Sequence, residues 1–348
     1  MSYQTFINKV GFGSKGYSLI TNSEQRPSVL ISGISIDYSY ILEKLKKITN
    51  SSIEHIKIGK ERKSMEEIKK ISQQLLGKNF KRIFAVGGGS IIDFTKNVYL
   101  NLQSSSKDQI DFYIIPSRIG SGAESSSTSI INTNNRKIIK LNDNFIPKGI
   151  VYDLELLNNL NNTEILLGSV DALSHCSESL TYFNKNPYLY FFSISTINNF
   201  FINVSNNYLF TNEKLPKDIL IEFCILSFNG GIAQNNAGSG LCHALAHSAE
   251  QLTGVSHPLC ISYFMVPTLR YISKVDSKFM LKFKFNLIKY FEIIYNHLKK
   301  RVNYRKIEDL ISTDKRFEKL ISLAKNDPCW RLFYKKIDMD ILKGFIIS

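Results

Sequence analysis

Asp171, His175, His243 and His257 are the residues of this chain best able to do chemistry together. The 348-residue sequence holds six histidines, and four of them (His175, His243, His247 and His257) fall in two short stretches. Asp171 and His175 stand four apart in Asp171-Ala172-Leu173-Ser174-His175, and His243 and His247 repeat that spacing. On a helix such pairs project from one face, one turn apart. One carboxylate and several imidazoles meeting at a point make the ligand set of a divalent first-row metal, with nitrogen and oxygen donors and no thiolate. A single Asp-x-x-x-His is more often a surface pair or a core histidine with a carboxylate partner. Two such pairs among apolar and small residues, in a chain poor in histidine, shift the balance toward a metal.

Helices are what the second half of the sequence offers to position these groups. Helical periodicity runs over Glu164–Tyr182, Tyr190–Tyr208, Pro216–Asn235, Leu241–Gln251 and from Val266 onward, which leaves His257 in a loop. The first half reads differently. Val29–Ile31, Ile56–Ile58, Arg82–Val86, Phe112–Ile115 and Gly149–Asp153 are short apolar runs of the buried-strand kind, and Val10–Gly13 suits an edge strand. Tyr38–Ile48 and Met65–Leu76 alternate with them as helices. That alternation predicts a parallel sheet covered by helices on both faces. The expected architecture is therefore a Rossmann-like α/β domain over residues 1–155 and an all-helical domain over residues 156–348.

The run Arg82–Val86 leads into Gly87-Gly88-Gly89-Ser90-Ile91-Ile92-Asp93. Glycines after a strand allow a tight turn and a close approach to bare backbone. Ser90 is expected to cap the next helix, with Asp93 as its capping-box partner. Such a helix start favours an anion such as a pyrophosphate. The motif is neither G-x-G-x-x-G, since Ile92 takes the third glycine position, nor a Walker loop. After Pro116 comes a second loop, Ser117 to Glu124, followed by the hydroxyl run Ser125–Ser129, which suits phosphate and ribose contact at the carboxyl edge of a sheet.

Composition narrows the classes. With 43% apolar and 21% charged residues the chain is ordinary globular material. No apolar segment reaches the length of a membrane span. Five cysteines, an odd number without a Cys-x-x-Cys pair, speak against a disulfide framework and for a reducing cytoplasm. The net charge of +14 raises the question of nucleic acid, but the lysines are scattered. Their densest zone, Lys274–Lys306, interleaves with apolar residues at helical spacing, as a solvated helix face does. Neither a nucleic acid nor a membrane is expected as a partner; what survives is a mild pull on an anionic cofactor or substrate.

Taken in order, the motifs resemble those of the iron-containing, metal-dependent alcohol dehydrogenases, relatives of glycerol dehydrogenase and dehydroquinate synthase. Gly87-Gly88-Gly89-Ser90 with Asp93 and Lys96 is similar to the family's GGGSxxDxxK, and Pro116 to Glu124 to its PTTxGTGSE loop. Asp171 to His175 resembles DALxH, and Gly240 to His257 resembles GxxHxxxH…PHG, with the same fourteen-residue interval from His243 to His257. The resemblance implies a dehydroquinate-synthase-like two-domain fold. It implies metal ligation by Asp171, His175, His243 and His257, with Fe²⁺ expected and Zn²⁺ the competitor. It makes His247 the catalytic proton relay, and Gly87, Gly88, Gly89, Ser90, Asp93, Ser117, Arg118, Ser121 and Lys137 the contacts of an NAD or NADP cofactor. The activity implied is hydride transfer between the nicotinamide and a small alcohol or aldehyde.

The departures are specific. Ser256 and Pro258 flank His257 where Pro and Gly are usual, and Arg118 replaces a threonine, where a long cation can meet a phosphate or an anionic substrate. Gly33 stands where NAD-selective members carry an acidic residue; an acid there repels a 2′-phosphate, so its absence leaves NADP open. A lyase resembling dehydroquinate synthase, a glycerol-dehydrogenase-like enzyme and a degenerate non-catalytic member are the alternatives; Asp171 with His175 favours the dehydrogenase branch. Substrate identity and assembly, including a homodimer or larger homo-oligomer, stay open.

Overall fold

Runs of β-branched and aromatic residues bounded by glycine or proline form the strands. The computed structural model describes residues 9–347 except 21–26, 35–36, 60–63, 79, 133–136, 183–185, 205 and 334. Among them, β1 (Lys9–Phe12), β2 (Ser28–Gly33), β3 (Ile53–Ile58), β4 (Arg82–Gly87), β5 (Asp111–Pro116) and β8 (Gly149–Tyr152) make one sheet in the order β1-β8-β5-β4-β2-β3. Every pairing in it is parallel. The remaining two, β6 (Thr128–Asn132) and β7 (Lys137–Leu141), pair antiparallel as a separate hairpin.

Strands β2, β4, β5 and β8 are buried along their whole length, as a parallel sheet covered on both faces requires. Alternate residues feed two cores. Val29, Ile31, Ile83, Ala85, Phe112 and Ile114 pack with the helices Met65–Leu75 and Gly89–Ser105. Leu30, Phe84, Val86, Tyr113, Ile115 and Val151 pack with Ile41 and Leu45 of the helix Ser39–Thr49. Strand β1 is the edge strand its glycines suggest.

The hydroxyl run corrects one expectation. From Thr128 it is strand, and the helix after the glycine turn holds it down. Lys96, fully buried, donates from Nζ to the carbonyls of Ser126 and Thr128, each at 2.7 Å. Asn97 donates to Ser129 Oγ at 2.6 Å, and Asp93 Oδ2 accepts from the Ile130 amide at 3.1 Å. A buried lysine is tolerable only with such partners.

The chain divides into two compact units, residues 1–160 and 161–348. The short helix Leu154–Leu157 goes with the first, because its cap Asp153 also accepts from Tyr17, Tyr40 and Lys44. The second unit is helical: Asn162–Ser179, Pro187–Asn203, Lys217–Ala237, Leu241–Thr253, His257–Val275, Leu287–Lys299 and Asp314–Asn326 are its longer helices. Asn162–Ser179 starts with a reciprocal cap between Asn161 and Glu164, a device that stabilises a helix start by about 1 kcal/mol. From Ile165 it is buried on nearly all sides, and Ala172 packs against bare backbone at Gly230. In the lysine-rich zone, Leu287, Phe291, Ile294 and Leu298 turn one face of their helix inward, which leaves the lysines outside. Among the described residues no helix is long and apolar enough to cross a membrane.

Candidate metal centre

Helix periodicity puts Asp171, His175 and Glu178 on one face of Asn162–Ser179, and His243 and His247 on one face of Leu241–Thr253. The third contributor differs from expectation. His257 is not in a loop but is the first residue of the helix His257–Val275, with Ser256 at the N-cap and Pro258 in the first turn. Proline suits that position, since its missing N–H would find no intrahelical acceptor. The two departures around His257 are thus a helix start.

Asp171 Oδ1 lies 3.6 Å from His175 Nε2, 3.5 Å from His243 Nε2 and 3.7 Å from His257 Nε2. These are longer than hydrogen bonds. Donors each about 2.1 Å from one tetrahedral ion stand about 3.4 Å apart, so the distances from Asp171 fit a shared cation. Asp171, His175 and His243 bring ligand atoms within 4.8 Å of one another, and His257 stands at the margin of that group. Asp171 Oδ1 and His243 Nε2 are also buried with no hydrogen-bond partner among the described residues. Leaving such atoms bare in a protein interior is costly, and a cation removes the cost.

The electrostatics agree. Burial works to raise the Asp171 carboxyl, but the imidazoles facing it hold it at about 2. Burial, with the His243 ring beside it, keeps His175 down at about 4 and therefore neutral. For His243 burial works downward, yet Glu178 and Asp171 lift it to about 9. Two carboxylates buried in one pocket beside a neutral His175 call for positive charge.

Glu178 and Asp327 are carboxylates that sequence alone does not single out. Glu178 is fully buried and bonds His243 Nδ1 through Oε2. Its Oε1 accepts from the amides of Cys242 at 2.6 Å and His243 at 3.3 Å, capping that helix from outside. A side chain at Gly240 would press within 3.0 Å of Glu178 Oε1, so glycine there lets the carboxylate in. The signal available was an acid three residues after His175 in a stretch otherwise of small and apolar residues. Asp327 binds His247 Nδ1 at 2.9 Å from eighty residues away, and no local signal points to it. His247 is not one of the groups around Asp171; its ring stacks on His257, centroids 5.0 Å apart, and meets His243 edge-on. Cys176, Cys242 and Cys260 are fully buried, and burial pushes the Cys176 thiol up to about 12.

In the first unit, the loop after β5 lies on the glycine turn. Ser117 donates its amide to Gly87 O at 2.9 Å. A Cβ at Gly89 would come within 2.8 Å of Ser121 Oγ, and one at Gly88 within 3.3 Å of Arg118 Cδ. Gly87, Gly88, Gly89, Ser117, Arg118 and Ser121 are therefore together. Ser90 is not the cap: the helix starts at Gly89 with Gly88 at the N-cap, and Ile91 and Ile92 both donate to Gly88 O. Asp93 is buried in the network that holds the hairpin, and Lys137 opens β7, its side chain outside the described ones.

Residues 10–154 match the iron-containing alcohol dehydrogenase family, and residues 165–321 match that family's C-terminal region. The chain belongs to the iron-containing alcohol dehydrogenases. It is 31% identical over 206 residues to 4-hydroxybutyrate dehydrogenase of Clostridium kluyveri, a match covering 55% of this chain and 54% of that protein. The chain thus spans about half the length of the curated relatives it matches. Solved structures share the fold over nearly the whole chain. The iron-containing alcohol dehydrogenase from Thermococcus thioreducens has a TM-score of 0.79 at 17% identity, covering 97% of each chain. The sulfoacetaldehyde reductase from Bifidobacterium kashiwanohense, in complex with NAD⁺, also has a TM-score of 0.79, at 16% identity, covering 97% of this chain and 96% of that one.

Proposed function

We propose that this family member interconverts small alcohols and their aldehydes or ketones, exchanging hydride with NAD or NADP in the presence of a divalent metal. One observation carries the reading: a buried carboxylate oxygen, Asp171 Oδ1, faces three imidazole nitrogens at 3.5–3.7 Å. Asp171, His175, His243 and His257 would hold the ion, Fe²⁺ or Zn²⁺. When bound it supplies Lewis acidity toward a carbonyl or alcohol oxygen.

The chain's own residues do the rest. Glu178 accepts a hydrogen bond from His243 Nδ1–H and so keeps Nε2 turned to Asp171. His247, one turn on and 19% exposed against 1% for His243, is the imidazole left to carry a proton to or from the substrate oxygen. The bare backbone of Gly87 to Gly89, under Ser121 and Arg118, suits a pyrophosphate. Gly33 ends β2 without an acid, which admits a 2′-phosphate. Arg118 and the relative named for 4-hydroxybutyrate both favour a substrate that carries an anion.

The test is reconstitution under anaerobic conditions with Fe²⁺ and, separately, Zn²⁺, followed by NADH or NADPH oxidation with short aldehydes, neutral and carboxylated. Metal-dependent oxidation, faster with the carboxylated aldehydes, is expected. Cofactor oxidation equal with and without metal would overturn the role given to Asp171. Failure to bind either cofactor would make the glycine turn purely structural.

A further inference from the structure

His247 and His243 sit one turn apart on the same helix, and each has its Nδ1 against a carboxylate. The Glu178–His243 contact serves the metal centre. The Asp327–His247 contact lies outside the groups around Asp171, and it is held from several sides although the pair is only partly buried.

The chemistry of the local sequence explains it. Proline disfavours helical backbone in the residue before it, so Pro328 ends the helix Asp314–Asn326 and holds Asp327 extended, at φ −70° and ψ 135°. Asp327 then becomes the N-cap of the turn Pro328–Arg331: its Oδ1 accepts from the Cys329 amide at 2.8 Å. One oxygen is committed to the cap, and the other, Oδ2, is left for His247 Nδ1 at 2.9 Å. The helix that delivers Asp327 is itself anchored, with Phe317, Leu320, Ile321 and Ala324 buried. His247 is held on its other side by the ring of His257.

We infer that Asp327 is a positioning residue: it accepts the Nδ1 proton of His247, fixes that tautomer and ring orientation, and so leaves Nε2 as the atom that exchanges a proton with substrate. An ionised carboxylate only accepts, so it admits one neutral tautomer of its partner. The inference rests on the proposed role of His247 for its consequence in turnover, but the tautomer itself does not.

The experiment therefore has two readouts on the full chain loaded with Zn²⁺. The first is ¹⁵N spectroscopy of the imidazoles, with the His247 signal assigned by its loss in His247→Gln. A Nδ1-protonated His247 in the wild type, shifting toward a mixture of tautomers in Asp327→Asn, is expected. A Nε2-protonated wild type, or no change in the variant, overturns the inference whatever the enzyme's activity. The second is turnover. Asp327→Asn should lower kcat about 10- to 100-fold with KM for the aldehyde and bound metal unchanged, Asp327→Glu should recover part of the loss, and His247→Ala/Asp327→Asn should be no slower than His247→Ala alone. Losses that multiply in the double variant, or metal lost from Asp327→Asn, would make Asp327 merely structural. A wild type with the expected tautomer but no turnover on any aldehyde would count against the proposed function and leave the positioning intact.

Discussion

His243 and His247 make the instructive comparison, because almost everything about them is matched except burial. They are the same residue type, four apart on one helix, and each has Nδ1 bonded to a carboxylate. The His243 and Glu178 side chains are each 1% exposed, whereas those of His247 and Asp327 are 19% and 17%. In the closed pocket the second nitrogen, Nε2, lies 3.5 Å from another buried carboxylate, Asp171, and the ring stacks on His175 with centroids 4.4 Å apart. In the open one the nearest ligand-type neighbours are Asp327 and the Cys329 thiol, which burial and Asp327 keep protonated. In the proposed roles His243 is a ligand and His247 a proton carrier, and burial alone does not separate such roles, because His257, which also faces Asp171, is 25% exposed.

That contrast can be broken by substitution. Asp171→Ala has the largest expected effect: the imidazoles lose their shared anion, and elemental analysis after dialysis should find no stoichiometric metal and assays no turnover. Next, His247→Ala should keep its metal while turnover falls about 10²- to 10⁴-fold, the usual worth of a positioned acid or base. Equal metal loss in these two variants would erase the difference between the pockets. Glu178→Gln should weaken metal binding about 10- to 100-fold, read by chelator competition, because it loosens His243 without removing a ligand. Smallest of all, Cys329→Ser should leave metal content unchanged and thermal stability within about 0.5 kcal/mol. A Cys329→Ser protein that lost metal would mean the open pocket also holds an ion.

Much of this arrangement is legible in the sequence, for identifiable reasons. Strands β2, β4, β5 and β8 announce themselves because a strand buried on both faces must be apolar throughout. The hairpin β6–β7 does not, since Thr128–Asn132 and Lys137–Leu141 mix polar and apolar residues and owe their position to Lys96, Asn97 and Asp93 on a distant helix. Ser90 looks like a cap by residue type, yet the cap is Gly88, two residues earlier, where glycine backbone has the room. His257 looks like a loop residue because Ser256 and Pro258 are common in loops; the same residues open a helix.

By itself the sequence determined which donors share a helix face. Helical spacing sets Asp171 beside His175 and His243 beside His247, and it needs no knowledge of the rest of the chain. The tertiary structure decided which histidine joins Asp171 and which stands apart, and which carboxylates hold them. Glu178 reaches His243 across sixty-five residues and Asp327 reaches His247 across eighty. Contacts that distant are chosen by how helices pack and where the chain must turn, and a proline after Asp327 or a glycine at Gly240 takes its meaning only once its neighbour in space is in place.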